Sequence, residues 1–343
     1  LEILMTKILV IQTAFIGDAV LTLPMIKELK QKEDNCLIDV LTIPTTNEIF
    51  ENSPYVNKVL IYDKRQKDKG LKALLKLGKE LKNNNYDILY SPHRSFRTSI
   101  LVLLSGVRET YGFDNSSLKH VYKNLIKYNI KDHEVLRNLK LIGFKESTAS
   151  WKILPELIVK KNTKEKINDY LNSNGIDSFI CIAPGTVWET KKYPTEYYKT
   201  IAAELIKKGY KIIISGSKNE EDICNAILGI SNENIFSVAG KLSISETIEL
   251  IGRAKLLICN DSAPTHFGMV NDIKVLTLYC STVAEFGFYP YNSKSKYLSF
   301  DNLKCKPCGI HGFKECPINT FDCGIKLKPE IVIEEAEKLL NVF

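Results

Sequence analysis

Strand-sized apolar runs alternate with helix-sized amphipathic stretches along this chain, and the alternation occurs in two successive series. Parallel strands can be joined only by a crossover long enough to hold a helix, so this pattern specifies parallel α/β domains. In the first series, residues 7–12, 36–42 and 86–90 read as strands, with an amphipathic helix from about 18 to 30. A polar, lysine-rich helix near 161–172 precedes the second series. There the strands are read at 179–183, 211–215, 235–238, 256–259 and 275–279, with helices near 195–208, 220–228, 245–253 and 264–270. The 343 residues suit two domains at roughly 100–200 residues each. The expected division is 5–160, 170–327 and a final helix within 328–343 that is a candidate to fold back onto the first domain.

Composition narrows the class. A hydrophobic share of 44% and a charged share of 25% exclude fibrous and disordered chains. No apolar run approaches the roughly 18 residues a membrane span requires, and the run 8–11 is too short for a secretory signal. A cytoplasmic protein is therefore expected. Met5 reads as the native start, with Leu1–Leu4 a remnant ahead of it. The net charge of +7 suits an anionic substrate or an anionic membrane surface and is too small to argue for nucleic acid by itself. Nine cysteines without an export signal point to thiols or metal ligands rather than a disulfide framework.

The first strand–helix turn, Thr13-Ala14-Phe15-Ile16-Gly17-Asp18, carries one glycine where a dinucleotide fingerprint carries three. NAD and FAD are not indicated. Asp18 reads either as a helix N-cap or as a general base, and its position alone favours the cap. In the second series, Pro184-Gly185-Thr186 and Lys191-Lys192-Tyr193-Pro194 follow one strand, and Asn260-Asp261-Ser262-Ala263-Pro264-Thr265-His266 follows another. Small residues and a proline at a helix start leave backbone N–H groups free for an anion, so the two turns suit a diphosphate. Residues 64–82 place Leu71, Leu74, Leu75 and Leu81 on one helical face and Lys69, Lys72, Lys76, Lys79 and Lys82 on the others. This reads as a surface helix packed on the sheet, or as a basic amphipathic helix on anionic lipid. Cys305, Cys308, Cys316 and Cys323, including a C-x-x-C pair, suit a tetrahedral structural zinc or iron; reduced thiols or disulfides are the other readings. This cluster is expected away from the diphosphate motifs.

The blocks ILVIQTAFIGDAVLTLPMIKELK, HEVLRNLKLIGF, PGTVWETKKYP and AGKLSISETIELIGRAKLLICNDSAPTHFG resemble, in order and across nearly the whole chain, those of the ADP-heptose:lipopolysaccharide heptosyltransferases, glycosyltransferase family 9. The resemblance implies a GT-B fold, two Rossmann-like domains facing across a cleft, the first for the acceptor and the second for the nucleotide sugar. It implies an inverting transfer of heptose from ADP-heptose to a lipid-linked saccharide, without catalytic metal or nucleic acid, peripheral on the inner face of the inner membrane. Asp18 matches the family's catalytic acid. Thr186 and Lys191 match positions that bind the donor diphosphate, and Lys192 and Gly216 are assigned to the same site. Asp261, Ser262 and His266 match a D-[ST]-G-x-x-H block, with Ala263 in place of the usual glycine, and Tyr193 stands for the usual tryptophan. Ala263 makes a backbone contact there less secure, since alanine resists positive φ. Arg94 and Arg97 are candidates to pair with acceptor carboxylates or phosphates, or are a plain surface pair. The cysteine spacing resembles the metal finger of the autotransporter heptosyltransferases. Rival readings are a protein acceptor, a different nucleotide sugar on the same fold, and a non-catalytic binding module.

Overall fold

Two parallel sheets organise the protein, one in each of two units, residues 1–158 and 159–343. The computed structural model describes residues 5–147, 150–229 and 232–341; Leu1–Leu4, the stretch ahead of Met5, lie outside the described residues.

The first unit runs β1 (Thr6–Ile11), α1 (Ile16–Lys32), β2 (Cys36–Thr42), α2 (Asn47–Glu51), β3 (Lys58–Ile61), α3 (Leu71–Asn83), β4 (Ile88–Ser91), α4 (Phe96–Ser105), β5 (Glu109–Phe113), β6 (Asn124–Ile126) and α5 (Glu134–Leu141). Its sheet order is β3-β2-β1-β4-β5-β6, every pairing parallel. Ile8, Leu9, Val10 and Ile11 are fully buried, as expected of a central strand covered on both faces. β1 pairs with β2 on one side and β4 on the other, so the strand order reverses there. The loops after β1 and β4 therefore emerge side by side at the topological switch point, where doubly wound sheets collect ligands.

Several elements differ from the sequence reading. β3, β5, β6 and the second unit's edge strand were not anticipated: they are three to five residues long and only partly buried, so their apolar pattern is weak. The basic helix starts at Leu71, and residues 64–68 form turns instead. It packs on α4 through Leu74, Leu77 and Leu81, while Leu71 and Leu75 are exposed. The block beginning at His133 is helix α5: His133 caps it by accepting the Val135 N–H at 3.2 Å. Arg137 and Glu134 form a buried ion pair at 2.6 Å, and Asn138 donates to the Leu21 carbonyl of α1 at 3.1 Å.

The second unit contains α6 (Lys161–Ser173), β7 (Phe179–Ala183), α7 (Thr195–Lys207), β8 (Lys211–Ile214), α8 (Glu221–Leu228), β9 (Ile235–Ser237), α9 (Ile244–Gly252), β10 (Leu256–Asn260), α10 (Ala263–Val270), β11 (Val275–Tyr279), β12 (Lys296–Ser299), α11 (Asp322–Ile325) and α12 (Pro329–Asn341). The order β9-β8-β7-β10-β11-β12 repeats that of the first unit. The switch point lies between β7 and β10, with Ala183 beside Cys259. Helix α12 was a candidate to fold back on the first domain. Within the second unit its apolar face, Val332, Ala336 and Leu339, is buried in the core against α7 and β10.

Candidate active site

At the first switch point Asp18 is the third residue of α1, not its N-cap. Phe15 occupies the cap, and Asp18 Oδ2 accepts the Phe15 N–H at 3.3 Å. Burial and then the negative charge of Glu134 push the Asp18 carboxyl up to about 7, against the pull of the Phe15 and Asp18 amides and of Arg94. The sequence marked the block HEVLRNLKLIGF that holds Glu134 but not its closeness to Asp18, because Glu134 comes from α5, far along the chain. Arg94 stacks over Tyr128 at 3.9 Å from the ring centre, with Arg137 4.9 Å from the same ring. Arg97 is exposed, and its charge falls on Tyr62 and Lys64. Lys64 Nζ donates to the Thr13 carbonyl at 2.9 Å, which brings a cation from the β3–α3 turns to the β1–α1 loop.

His93, not singled out from the sequence, fastens the two loops together. Its Nδ1 lies 2.8 Å from both Thr13 Oγ1 and Thr98 Oγ1. Burial, with Lys64 and Arg94, pushes its pKa down to about 4, so the ring is neutral near pH 7.

At the second switch point the organising residue is Asn260, fully buried at the end of β10. Its Oδ1 accepts the Tyr193 N–H and the Tyr198 hydroxyl, each at 3.0 Å, and its Nδ2 donates to the Pro184 carbonyl at 2.5 Å. One amide thus holds the two motif loops in register. Beside it, Lys191 Nζ lies 2.6 Å from Asp261 Oδ2, and the Thr282 hydroxyl donates to the same oxygen at 2.7 Å. Ser262 donates to the Gly185 carbonyl at 3.3 Å. Ala263 opens α10 and is not among the positive-φ residues, so the exchange from glycine costs no backbone strain. His266 is buried and held neutral, its pKa down to about 4, by burial and the Lys191 charge, against the opposing pull of Asp261. Its Nδ1 has no hydrogen-bond partner among the described residues. Thr186 is buried in the loop after β7.

Two of the expected donor residues lie beside acidic side chains. Lys192 pairs with Glu189 at 2.5 Å. Gly216 and Gly185 make room for Glu220: a Cβ on Gly185 would come within 2.0 Å of the Glu220 carboxyl, and one on Gly216 within 3.3 Å of its Cβ. That carboxylate accepts the Ser217 N–H and hydroxyl at 2.7 and 2.8 Å. The site therefore presents a lysine, small residues and the N-terminus of α10, groups that suit an anion.

All nine cysteines are free thiols. Cys305, Cys308, Cys316 and Cys323 line one cavity of about 250 Å³. Burial raises Cys323 to about 11 and also lifts Cys308. Cys316 is partly buried too, but hydrogen bonds from the Phe321, Ile318, Thr320 and Asn319 amides outweigh that and hold its thiol below the ordinary value. Among the described residues no group of three or more His, Cys, Asp or Glu is placed to hold a metal ion. The segment is not remote from the diphosphate motifs, as the sequence suggested: the Thr190 N–H donates to the Phe313 carbonyl at 3.1 Å, and Trp188 stacks with His311 at 6.2 Å.

Comparison with known proteins agrees with this layout. The model of glycosyltransferase family 9 (heptosyltransferase) matches residues 74–315. The chain is 26% identical over 338 residues to lipooligosaccharide heptosyltransferase 2 of Campylobacter jejuni, covering 97% of this chain and 99% of that one. Its fold matches the glycosyl transferase family 9 structure from Veillonella parvula at a TM-score of 0.87, with 20% identity and coverage of 99% and 98%. It also matches ADP-heptose lps heptosyltransferase II of E. coli at 0.80, with 22% identity and coverage of 98% of each chain. With two doubly wound sheets and a family match over most of its length, the chain belongs to glycosyltransferase family 9, the heptosyltransferases.

Proposed function

We propose that this enzyme transfers a heptose from ADP-heptose to a lipopolysaccharide-type inner-core acceptor, with inversion at the anomeric carbon. Relatives along the full length of the chain are named as lipooligosaccharide and lipopolysaccharide heptosyltransferases, which favours a lipid-linked saccharide over a protein acceptor. The observation that carries the mechanism is Asp18, a carboxyl at a switch point whose surroundings raise its proton affinity to about 7. A base is most effective when its pKa lies near the working pH.

In this reading the acceptor hydroxyl attacks the anomeric carbon and Asp18 takes its proton. The bond from that carbon to the diphosphate breaks, and ADP leaves with the electron pair. Lys191, Thr186 and the backbone N–H groups of Ser262 and Ala263 at the start of α10 meet the charge that develops on the diphosphate. Asp261 orients Lys191 by accepting one of its three ammonium protons, which leaves two for phosphate oxygens. Ser262, Ala263 and His266 line the same site, with Gly216 and Lys192 at its margin. On the acceptor side, Arg94, Arg97 and Lys64 offer cations to sugar carboxylates or phosphates. Such a reaction draws its positive field from lysine and helix amides and asks for no catalytic metal.

The exposed Leu71 and Leu75, among Lys72, Lys76 and Lys79 on α3, suit shallow attachment to an anionic membrane surface; no helix is long and apolar enough to cross one among the described residues. The four cysteines around one cavity, with the Cys316 thiol held below its ordinary value by backbone amides, are the donor types that zinc or iron takes, and they would have to draw together from their present places to hold an ion. Such an ion would staple the irregular segment 305–323.

A screen of ADP-, UDP- and GDP-linked sugars with mass-spectrometric detection of the released nucleotide tests the assignment. Release of ADP from ADP-heptose in the presence of a lipid-linked acceptor is expected. Preference for a UDP-sugar would overturn the donor assignment.

A further inference from the structure

We propose that the cysteine-bearing segment 305–323 is a positioning element of the donor site, and that it sets nucleotide affinity by holding both halves of the Lys191–Asp261 pair in place. This rests on the reading above that Lys191 meets the donor diphosphate.

The strap that carries Lys191 cannot hold its own shape. Residues 189–191 form a single 3-10 turn closed by the Lys191 N–H to the Trp188 carbonyl at 2.9 Å and the Lys192 N–H to the Glu189 carbonyl at 3.0 Å. A turn of this length has no cooperative stability of its own. Its support comes from the cysteine segment. Thr190 and Phe313 exchange bonds: the Thr190 N–H donates to the Phe313 carbonyl at 3.1 Å, and the Phe313 N–H donates to Thr190 Oγ1 at 2.8 Å. Thr190 is buried, and its Oγ1 also lies 3.0 Å from the Ser281 hydroxyl.

The same segment grips the other half. The Cys308 N–H donates to the Ser281 carbonyl at 2.8 Å. Ser281 precedes Thr282, whose hydroxyl holds Asp261 at 2.7 Å. Lys191 is therefore one link from a residue bonded to the cysteine segment, its neighbour Thr190, and Asp261 is two links away, through Thr282 and then Ser281. Gly312 closes the wedge. It sits at φ +80, and a Cβ there would lie 2.9 Å from Thr190 Oγ1, 3.0 Å from Ser281 Oγ and 3.1 Å from Lys191 Cγ. Contact that tight with the lysine stem allows no side chain at position 312 without moving the strap.

The structural pairing thus transmits the order of segment 305–323 to an ammonium group whose 2.6 Å contact with Asp261 leaves little room for displacement. A shift of the strap moves the lysine out of reach of a phosphate oxygen while leaving the sheet and the first unit untouched.

Calorimetry with ADP on the full chain tests this with Thr190→Val, which deletes the hydroxyl, Thr190→Ser, which keeps it, and Gly312→Ala, which pushes from the cysteine segment. Loss of the shared hydroxyl is expected to weaken ADP binding and raise donor KM by about tenfold, the equivalent of one or two hydrogen bonds, with kcat changed less than about twofold. Thr190→Ser is expected to bind ADP within about twofold of the parent. Gly312→Ala is expected to weaken it in the same direction as Thr190→Val. A merely structural role would lower Tm in Thr190→Val and Gly312→Ala and leave ADP affinity unchanged. The proposal is overturned if both variants, folded, bind ADP within about twofold of the parent. Failure of the parent chain itself to bind ADP strikes instead at the donor-site reading.

Discussion

Lys191 and Asp261 meet at 2.6 Å although they follow different strands, β7 and β10, and 70 positions separate them in the chain. Both side chains are largely buried, so water screens the pair poorly and each partner depends on the other. Lys191→Ala is expected to leave Asp261 uncompensated and to weaken ADP binding by tenfold or more, with the larger loss at low salt, where charge attraction is least screened. Adding Asp261→Asn should restore part of the lost thermal stability without restoring ADP affinity. Calorimetry and thermal melts on the four-member cycle measure both effects; unchanged ADP affinity in Lys191→Ala would remove this residue from the donor site.

Asp18→Asn keeps the size of the side chain and deletes its basic oxygen. Transfer is expected to fall by roughly 10²–10⁴-fold, the usual worth of a general base, while ADP affinity stays near that of the parent. Retention of more than about a tenth of the parent turnover would reduce Asp18 to a structural acceptor of the Phe15 N–H at the start of α1.

The raised proton affinity of Asp18 has a direction in pH. A base with a pKa of about 7 is protonated below that value, so kcat/KM should fall as pH drops through 7. Glu134→Gln removes the negative charge that opposes Asp18 ionisation and should move this limb to lower pH, since Arg94 then acts with less opposition. Stability runs the opposite way. The folded pKa exceeds the ordinary carboxyl value of 3.8, so the folded state holds the extra proton between about 4 and 7, and ionisation costs stability as pH rises through that window. Asp18→Asn should therefore stabilise the protein more at pH 8 than at pH 5. Melts at the two pH values check the sign, and a larger gain at pH 5 would refute it.

Attachment to anionic vesicles is expected to be salt-sensitive, because Leu71 and Leu75 supply little apolar area and the lysines of α3 supply the attraction. Flotation with anionic lipid should recover the protein at low salt and lose it near 0.5 M, about where the Debye length becomes short. Leu71→Ser with Leu75→Ser should weaken flotation without lowering Tm, since neither side chain is in the core. No flotation at low ionic strength would make α3 a packed surface helix and nothing more.

Elemental analysis of protein purified without added metal should find close to one zinc or iron per chain, and Cys316→Ser should reduce it. Chelation should lower Tm. Fewer than about 0.2 atoms per chain, with four titratable thiols in 305–323, would contradict a closed four-sulfur site.

The sequence alone determined the two α/β units and the central strands. Runs such as residues 179–183 and 275–279 are buried on both faces, so their apolar character is continuous and readable, and β7 and β11 span those very residues. It also marked the loops that carry Asp18, Lys191 and Asp261, since a turn after a buried strand leaves a chemical signature in small and charged residues. Edge strands such as β6 escaped because three half-covered residues have no pattern to show. What only the tertiary structure decided are relationships across the chain. Glu134 raises the proton affinity of Asp18, His93 ties two loops, Asn260 locks the second switch point, and Phe313 supports the Lys191 strap. Each depends on which strands lie side by side and which helix covers them. Periodicity reports the face a residue buries, whereas the identity of its neighbour is set by sheet order and packing.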